Sequence, residues 1–105
     1  MLQLQDKVCV VTGSGSGIGR ATAAEMARRG ARVVVSDLND AAGEETAEAI
    51  RSGGGEATYV HADVTSADDI TALMRTAVDA FGRLDVLHNN AGVHETDFTA
   101  DTLTD

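Results

Sequence analysis

Thr12-Gly13-Ser14-Gly15-Ser16-Gly17-Ile18-Gly19 follows directly on the apolar run Val8-Cys9-Val10-Val11 and leads directly into an alanine-rich stretch that ends at Arg29. An apolar run of that length, rich in β-branched residues, reads as a buried strand, and the alanine-rich stretch reads as a helix. The octapeptide between them is a glycine-rich turn. Such a turn lets the backbone come close to a pyrophosphate and aims the N–H groups and the positive end of the next helix at its charge. A dinucleotide site is the first expectation from this stretch.

Outward from the turn, short apolar runs alternate with helical patterns. Residues 8–11, 33–35, 57–60 and 84–87 read as strands, and residues 17–29, 40–51 and 66–82 contain the helices. The third helix is the clearest, because Ile70, Leu73, Met74, Ala77, Val78 and Phe81 form one continuous apolar stripe. Ser66 with Asp69 resembles a capping box at its start, and Gly82 is placed to end it. Ala21, Ala23, Ala24 and Ala27 suit the first helix to close packing on a sheet, and Gly30 closes it. The run Ser52-Gly53-Gly54-Gly55 is a loop between elements, since too little chain lies on either side for two cores.

The order β-α-β-α-β-α-β predicts an α/β fold with a parallel sheet and right-handed crossovers. In such open sheets ligands bind outside the carboxyl ends of the strands, near the point where strand order reverses. The four strands are followed by Thr12-Gly13, by Ser36-Asp37, by His61-Ala62-Asp63 and by Asn89-Asn90-Ala91-Gly92. All four polar marks therefore fall on one rim.

Composition limits the alternatives. The chain has 105 residues, 43% hydrophobic, enough for one compact domain. Its net charge of −9 argues against a nucleic-acid surface or a polybasic membrane anchor, so phosphates must be met mainly by backbone groups. Cys9 has no partner for a disulfide and reads as a small core residue in a reducing compartment. With no leader pattern and no apolar stretch long enough for a bilayer, the expectation is a cytoplasmic protein without a membrane partner. No metal-ligand spacing is evident.

The glycine spacing discriminates between families. G-x-G-x-x-G fails whether it starts at Gly13 or at Gly15, because the last positions are then Ile18 and Arg20, and a P-loop lacks its Gly-Lys-Ser/Thr. T-G-x-x-x-G-x-G is present instead. Together with Asn89-Asn90-Ala91-Gly92 it closely resembles the short-chain dehydrogenase/reductase family, over essentially the whole chain from Lys7 onward. The resemblance implies a partial Rossmann-like doubly wound parallel sheet, of about four strands in order 3-2-1-4 with three helices. Residues 1–105 then form the N-terminal part of an NAD-binding Rossmann domain, and the catalytic and substrate-binding part is absent.

Position by position, the resemblance makes Gly13, Gly17 and Gly19 turn glycines, with Ser14, Ser16, Gly17 and Ile18 along the pyrophosphate. Asp37, beside Leu38, lies where an acidic side chain accepts hydrogen bonds from the adenosine ribose. A 2′-phosphate there would meet like charge, and neither Ser16 nor Leu38 offers a base, so NAD is preferred over NADP. The alternative for Asp37 is a turn or cap aspartate. Asp63 with Val64 matches the family's acidic residue beside adenine, and a turn role alone, with Asp63 orienting Thr65, competes with it. Asn90 steadies the central strands, while Ala91 and Gly92 leave room for the cofactor ribose. His88 stands where relatives carry an aliphatic residue and has no expected catalytic part. His94, Glu95 and Asp97 begin the variable substrate-side loops or are plain solvated residues.

Hydride transfer in the family uses a tyrosine with a lysine four residues later, a serine and an asparagine. The only tyrosine here is Tyr59, followed four residues on by Asp63, and the only lysine is Lys7. No catalytic residue is therefore assigned. Three readings follow: the cofactor half of an NAD-dependent oxidoreductase of alcohols or ketones, inactive by itself; a non-catalytic NAD-binding module; or an inactive remnant. With the last strand at an open edge, the isolated chain is expected to be marginally stable and to self-associate. The family is usually homo-oligomeric.

Overall fold

Every apolar run becomes a strand and every helical pattern a helix in the computed structural model, which describes residues 3–90. The elements are β1 (Val8–Thr12), α1 (Gly17–Arg28), β2 (Arg32–Asp37), α2 (Asp40–Ser52), β3 (Glu56–His61), α3 (Ala67–Phe81) and β4 (Val86–His88). The strands form one parallel sheet in the order β3-β2-β1-β4, as expected. Val10 sits between Val34 and Leu87 in register, so β1 is central, and strand order reverses beside it.

The uninterrupted apolar runs are explained by two covered faces. Cys9, Val11, Val33 and Val35 pack with Ala23, Ala47 and Ile50 under α1 and α2. Val8, Val10 and Val34 point the other way and pack with Leu73, Ala77 and Leu87 under α3. Alternate residues of a strand face opposite sides, so a sheet covered on both needs apolar residues at every position. Residues 8–11 and 33–35 are accordingly all buried.

Helix ends follow local chemistry. Gly30 and Gly54 take positive φ just past α1 and α2. The amides of Ala31 and Gly55 reach back to Met26 and Ile50, giving two Schellman closures. Gly82 is left-handed at φ 84° and donates to the Val78 carbonyl. The Ser66 hydroxyl accepts from Asp69 N, but the returning arm differs from a capping box: the Asp69 carboxylate accepts from Asp63 N at 2.9 Å. Ser66 N is occupied instead by the Asp63 carbonyl at 2.9 Å.

Two further features depart from the local pattern. The last strand begins at Val86 and not at residue 84, because Asp85 meets Val8 partly through its side chain: Asp85 Oδ2 accepts from Val8 N at 2.8 Å, while Asp85 N donates to the Val8 carbonyl at 2.9 Å. Regular pairing starts one residue later, at Cys9 with Val86. In the α3 stripe, Leu73 and Ala77 are buried and Met74 and Phe81 pack against the core, whereas Val78 stays exposed among the described residues.

Candidate functional site

The glycine turn has two halves with different jobs. Its first half is sewn to β2. Ser14 is fully buried, its N–H donates to the Ser36 carbonyl at 3.1 Å, and its hydroxyl accepts from Ser36 N at 3.0 Å while lying 2.9 Å from the Val11 carbonyl. Gly15 N donates to Asp37 Oδ2 at 2.8 Å. Sequence pattern places Ser14 along the pyrophosphate; its polar groups are spent extending the ladder beyond the end of β1.

The second half is open. Ser16, Gly17 and Ile18 are exposed, and Gly13 and Gly17 have φ of 61° and 56°, which favours glycine. Gly19 is required for another reason: a Cβ there would overlap the Gly13 carbonyl oxygen and come within 2.9 Å of Asn90 Nδ2. The start of α1 is also bare. Ser16 makes no side-chain cap bond and the first turn has no acidic residue, whereas α2 has Asn39 as cap with Asp40 behind it, and α3 has Ser66 with Asp68 and Asp69. Among the described residues no side chain caps the first turn of α1, and the carboxylate nearest its entry, Asp37, is taken by Gly15 N. Arg20 brings no charge there, since its guanidinium turns to α2, with Nε 2.8 Å from Thr46 Oγ1 and an ion pair to Glu45.

Asp37, at the end of β2, is partly buried. Its Oδ2 accepts from Gly15 N and its Oδ1 from Asn39 N at 2.9 Å, so the turn role is real, while the cap of α2 belongs to Asn39. A carboxylate offers about four acceptor positions, and these two bonds use half of them. Leu38 beside it is 61% exposed, and Ile18 across the turn is 73% exposed. Two large apolar side chains, one in the first turn of α1 and one just past β2, are therefore left exposed.

Asp63 follows β3. Its Oδ1 accepts from Thr65 Oγ1 at 2.6 Å and from Thr65 N at 2.9 Å, which is the turn role expected for it. The Thr65 hydroxyl, then its amide and the nearby His61, hold the Asp63 carboxyl below the usual carboxylate range. Val64 is partly buried next to it. Thr12 ties β1 to the segment after β4: its hydroxyl donates to Asn89 Oδ1 at 2.7 Å and accepts from Asn90 N at 2.8 Å. The Asn90 side chain lies beside Gly19, where a Cβ would stand 2.9 Å from its Nδ2. His88 is partly buried at the end of β4. Ala91, Gly92, His94, Glu95 and Asp97 lie outside the described residues.

Tyr59 has a structural environment. A Cβ on Gly43 would overlap its ring, 2.5 Å from Cδ1 and 2.9 Å from Cζ and nearer still to Cε1, so the ring lies flat on the helix backbone. Its hydroxyl is 2.8 Å from the Asp37 carbonyl and 2.6 Å from Asp40 Oδ1, which also takes Nδ1 of His61 at 2.7 Å. Burial, then the Asp40 carboxylate, push the phenol well above the usual tyrosine range. The phenol stays neutral and donates. Sequence reasoning assigned no place to this cluster, although a glycine inside a helix was a visible signal of close approach.

These features define a doubly wound α/β protein of the Rossmann kind, with an open glycine turn at the switch point of its sheet. A family model described as short chain dehydrogenase matches residues 7–105, and the chain belongs to that family of nicotinamide-dinucleotide oxidoreductases. An uncharacterized oxidoreductase of Thermotoga maritima is 46% identical over 92 residues, covering 88% of this chain and 36% of that protein. Cis-4-hydroxycyclohexanecarboxylate dehydrogenase of Sinomonas cyclohexanicum is 49% identical over 90 residues, covering 86% and 36%. Among solved structures, a hydroxysteroid dehydrogenase from Escherichia coli superposes with a TM-score of 0.84 at 40% identity, covering 88% of this chain and 39% of that one. The chain thus spans little more than a third of the length of these relatives.

Proposed function

We propose that the chain is the cofactor-binding half of an NAD-dependent short-chain dehydrogenase that moves a hydride between an alcohol or ketone and NAD. The observation that carries this reading is the uncapped start of α1 facing a glycine turn whose neighbour, Asp37, is aimed by Gly15 N. The pyrophosphate would lie on the exposed turn at residues 16–18, with Gly13, Gly17 and Gly19 giving it access. Asp37 would accept from the adenosine ribose through its two remaining acceptor positions. Adenine would lie between Leu38 and the Asp63-Val64 pair. NAD supplies the hydride acceptor. This chain's residues would bind and orient it, with Asn90 steadying the central strands.

Chemistry by this chain alone is not expected. Tyr59 is its only tyrosine, and its raised pKa is opposite to that of a tyrosine activated as general acid or base. The same proposal includes an alcohol or ketone as substrate, homo-oligomeric assembly and a cytoplasmic location.

Calorimetric titration of the chain with NAD and NADP tests the reading. NAD should bind saturably and NADP at least about tenfold more weakly, since charge-assisted hydrogen bonds contribute about 1.5–3 kcal/mol. Asp37→Ser should erase that preference. Equal binding of the two dinucleotides by the unaltered chain would sink the NAD assignment, and binding of neither would sink the cofactor site.

A further inference from the structure

We propose that Tyr59 is a positioning residue for the Asp37 carboxylate, and through it sets how well this site tells an adenosine ribose from its 2′-phosphate. The second clause rests on the cofactor reading above; the first does not.

Asp37 is the last residue of β2, opposite His61 in the parallel register. The ladder weakens at this point. The backbone bond that should hold the Asp37 carbonyl, from Ala62 N, is stretched to 3.4 Å, and the Tyr59 hydroxyl reaches the same carbonyl at 2.8 Å. A side chain thus reinforces the weak last rung of the sheet at the residue whose carboxylate reaches both Gly15 N and Asn39 N. The phenol is itself fixed from two directions. Its ring is seated on Gly43, where a side chain would displace it. Its single proton has two acceptors, the Asp37 carbonyl and Asp40 Oδ1. Asp40 Oδ1 already takes a hydrogen bond from His61 Nδ1, which must be the protonated ring nitrogen because a carboxylate only accepts. Asp40 Oδ1 accepts from both His61 and the phenol, so the hydroxyl is held between that carboxylate and the Asp37 carbonyl and its proton is shared by the two.

Tyr59→Phe keeps the ring on Gly43 and deletes only the hydroxyl. Two readings are taken on the 105-residue chain. The first needs no cofactor: the Gly15 amide proton, deshielded by Asp37 Oδ2, should move upfield in nitrogen–proton correlation spectra. The second is the ratio of NADP to NAD dissociation constants, which should narrow by about three- to tenfold, the effect of one ordinary hydrogen bond, through loss of NAD affinity. A purely structural weakening would lower both affinities together and leave the ratio where it was. An unmoved Gly15 amide in a folded variant overturns the positioning role. A moved amide with an unchanged ratio overturns the link to recognition alone, and absence of NAD binding by the parent chain sinks the cofactor reading and that link while the amide still judges Tyr59.

The chain has one tyrosine, so biosynthetic 3-fluorotyrosine labels this position alone and serves if Tyr59→Phe does not fold. Its fluorine resonance should shift on saturation with NAD and move less with NADP. Where the chain binds NAD, identical responses to the two, or none, overturn the proposal; where it binds no NAD, the cofactor reading falls.

Discussion

Gly43→Ala tests the packing of α2 on β3, and its outcome has a sign that local propensity alone gets wrong. Gly43 lies inside α2, where alanine is favoured over glycine by about 0.8–1 kcal/mol. The new methyl would stand 2.5 Å from Tyr59 Cδ1 and nearer still to Cε1, so the ring must retreat by more than about 1 Å to reach an ordinary contact near 3.5 Å. Overpacking of this kind costs about 1–3 kcal/mol. A ring moved that far also releases its hydroxyl from the Asp37 carbonyl, losing a bond that contributes about 0.5–1.5 kcal/mol. The net expectation is destabilisation by about 1–3 kcal/mol. In a Tyr59→Val background the overlapping ring atoms are gone, a β-branched residue still suits the strand, and the same change should stabilise by about 1 kcal/mol. Urea unfolding of the four proteins followed by far-UV circular dichroism measures the coupling, with a stabilising osmolyte in all samples if the native baseline is short. A coupling energy of about 2 kcal/mol or more is expected. Equal effects of Gly43→Ala in both backgrounds, or stabilisation of the parent chain, would refute the reasoning.

Two predictions concern ionisation. The Arg83 guanidinium and the Val8 amide hold the Asp85 carboxyl below the usual carboxylate range; a group with a depressed folded-state pKa contributes stability above its unfolded value of about 3.9, and that stability is lost as pH falls through the folded value. Thermal melts between about pH 6 and pH 2 should therefore show an acid-limb loss that Asp85→Asn reduces, and an unaltered limb in that variant would contradict the assignment. Burial, aided by Asp85, pushes the Cys9 thiol up to about 11, so a disulfide reagent at about pH 8 should label the native chain only as fast as it opens, with urea accelerating the reaction. Complete labelling within the mixing time under native conditions would show that β1 is not held as described.

The fold was legible because its constraints are local and repeated. Residues 8–11 and 33–35 are apolar at every position, a pattern that only a sheet covered on both faces requires, and the two packing clusters divide those residues alternately. Positive φ at Gly13, Gly30, Gly54 and Gly82 likewise stands where turn and helix-end chemistry called for glycine. What local pattern could not reach are side chains that substitute for backbone across long separations. Asp85 completes the pairing of Val8 from 77 positions away, and Ser14 completes that of Ser36 from 22. Both residue types are ordinary in turns. Their residue types alone do not reveal that the partner is a strand.

The rim residues show why site assignment is harder than fold assignment in such a chain. Ser14, Asp37, Asp63 and Asn90 all stand at strand ends, where the ladder stops and backbone groups need partners, and each makes a hydrogen bond that serves the fold. A polar residue at the carboxyl edge of a parallel sheet is therefore expected on structural grounds even without a ligand. The discriminating observation is what the described residues leave unused: acceptor positions of Asp37, the exposed turn at residues 16–18, and the exposed faces of Ile18 and Leu38. Glycine identity carries the same information in sequence, because a glycine placed where helix propensity disfavours it, as Gly43 and Gly19 are, demands a close neighbour. Gly19 finds it in the Gly13 carbonyl and Gly43 in the Tyr59 ring, and both contacts bear on the geometry in which Asp37 and the turn are presented.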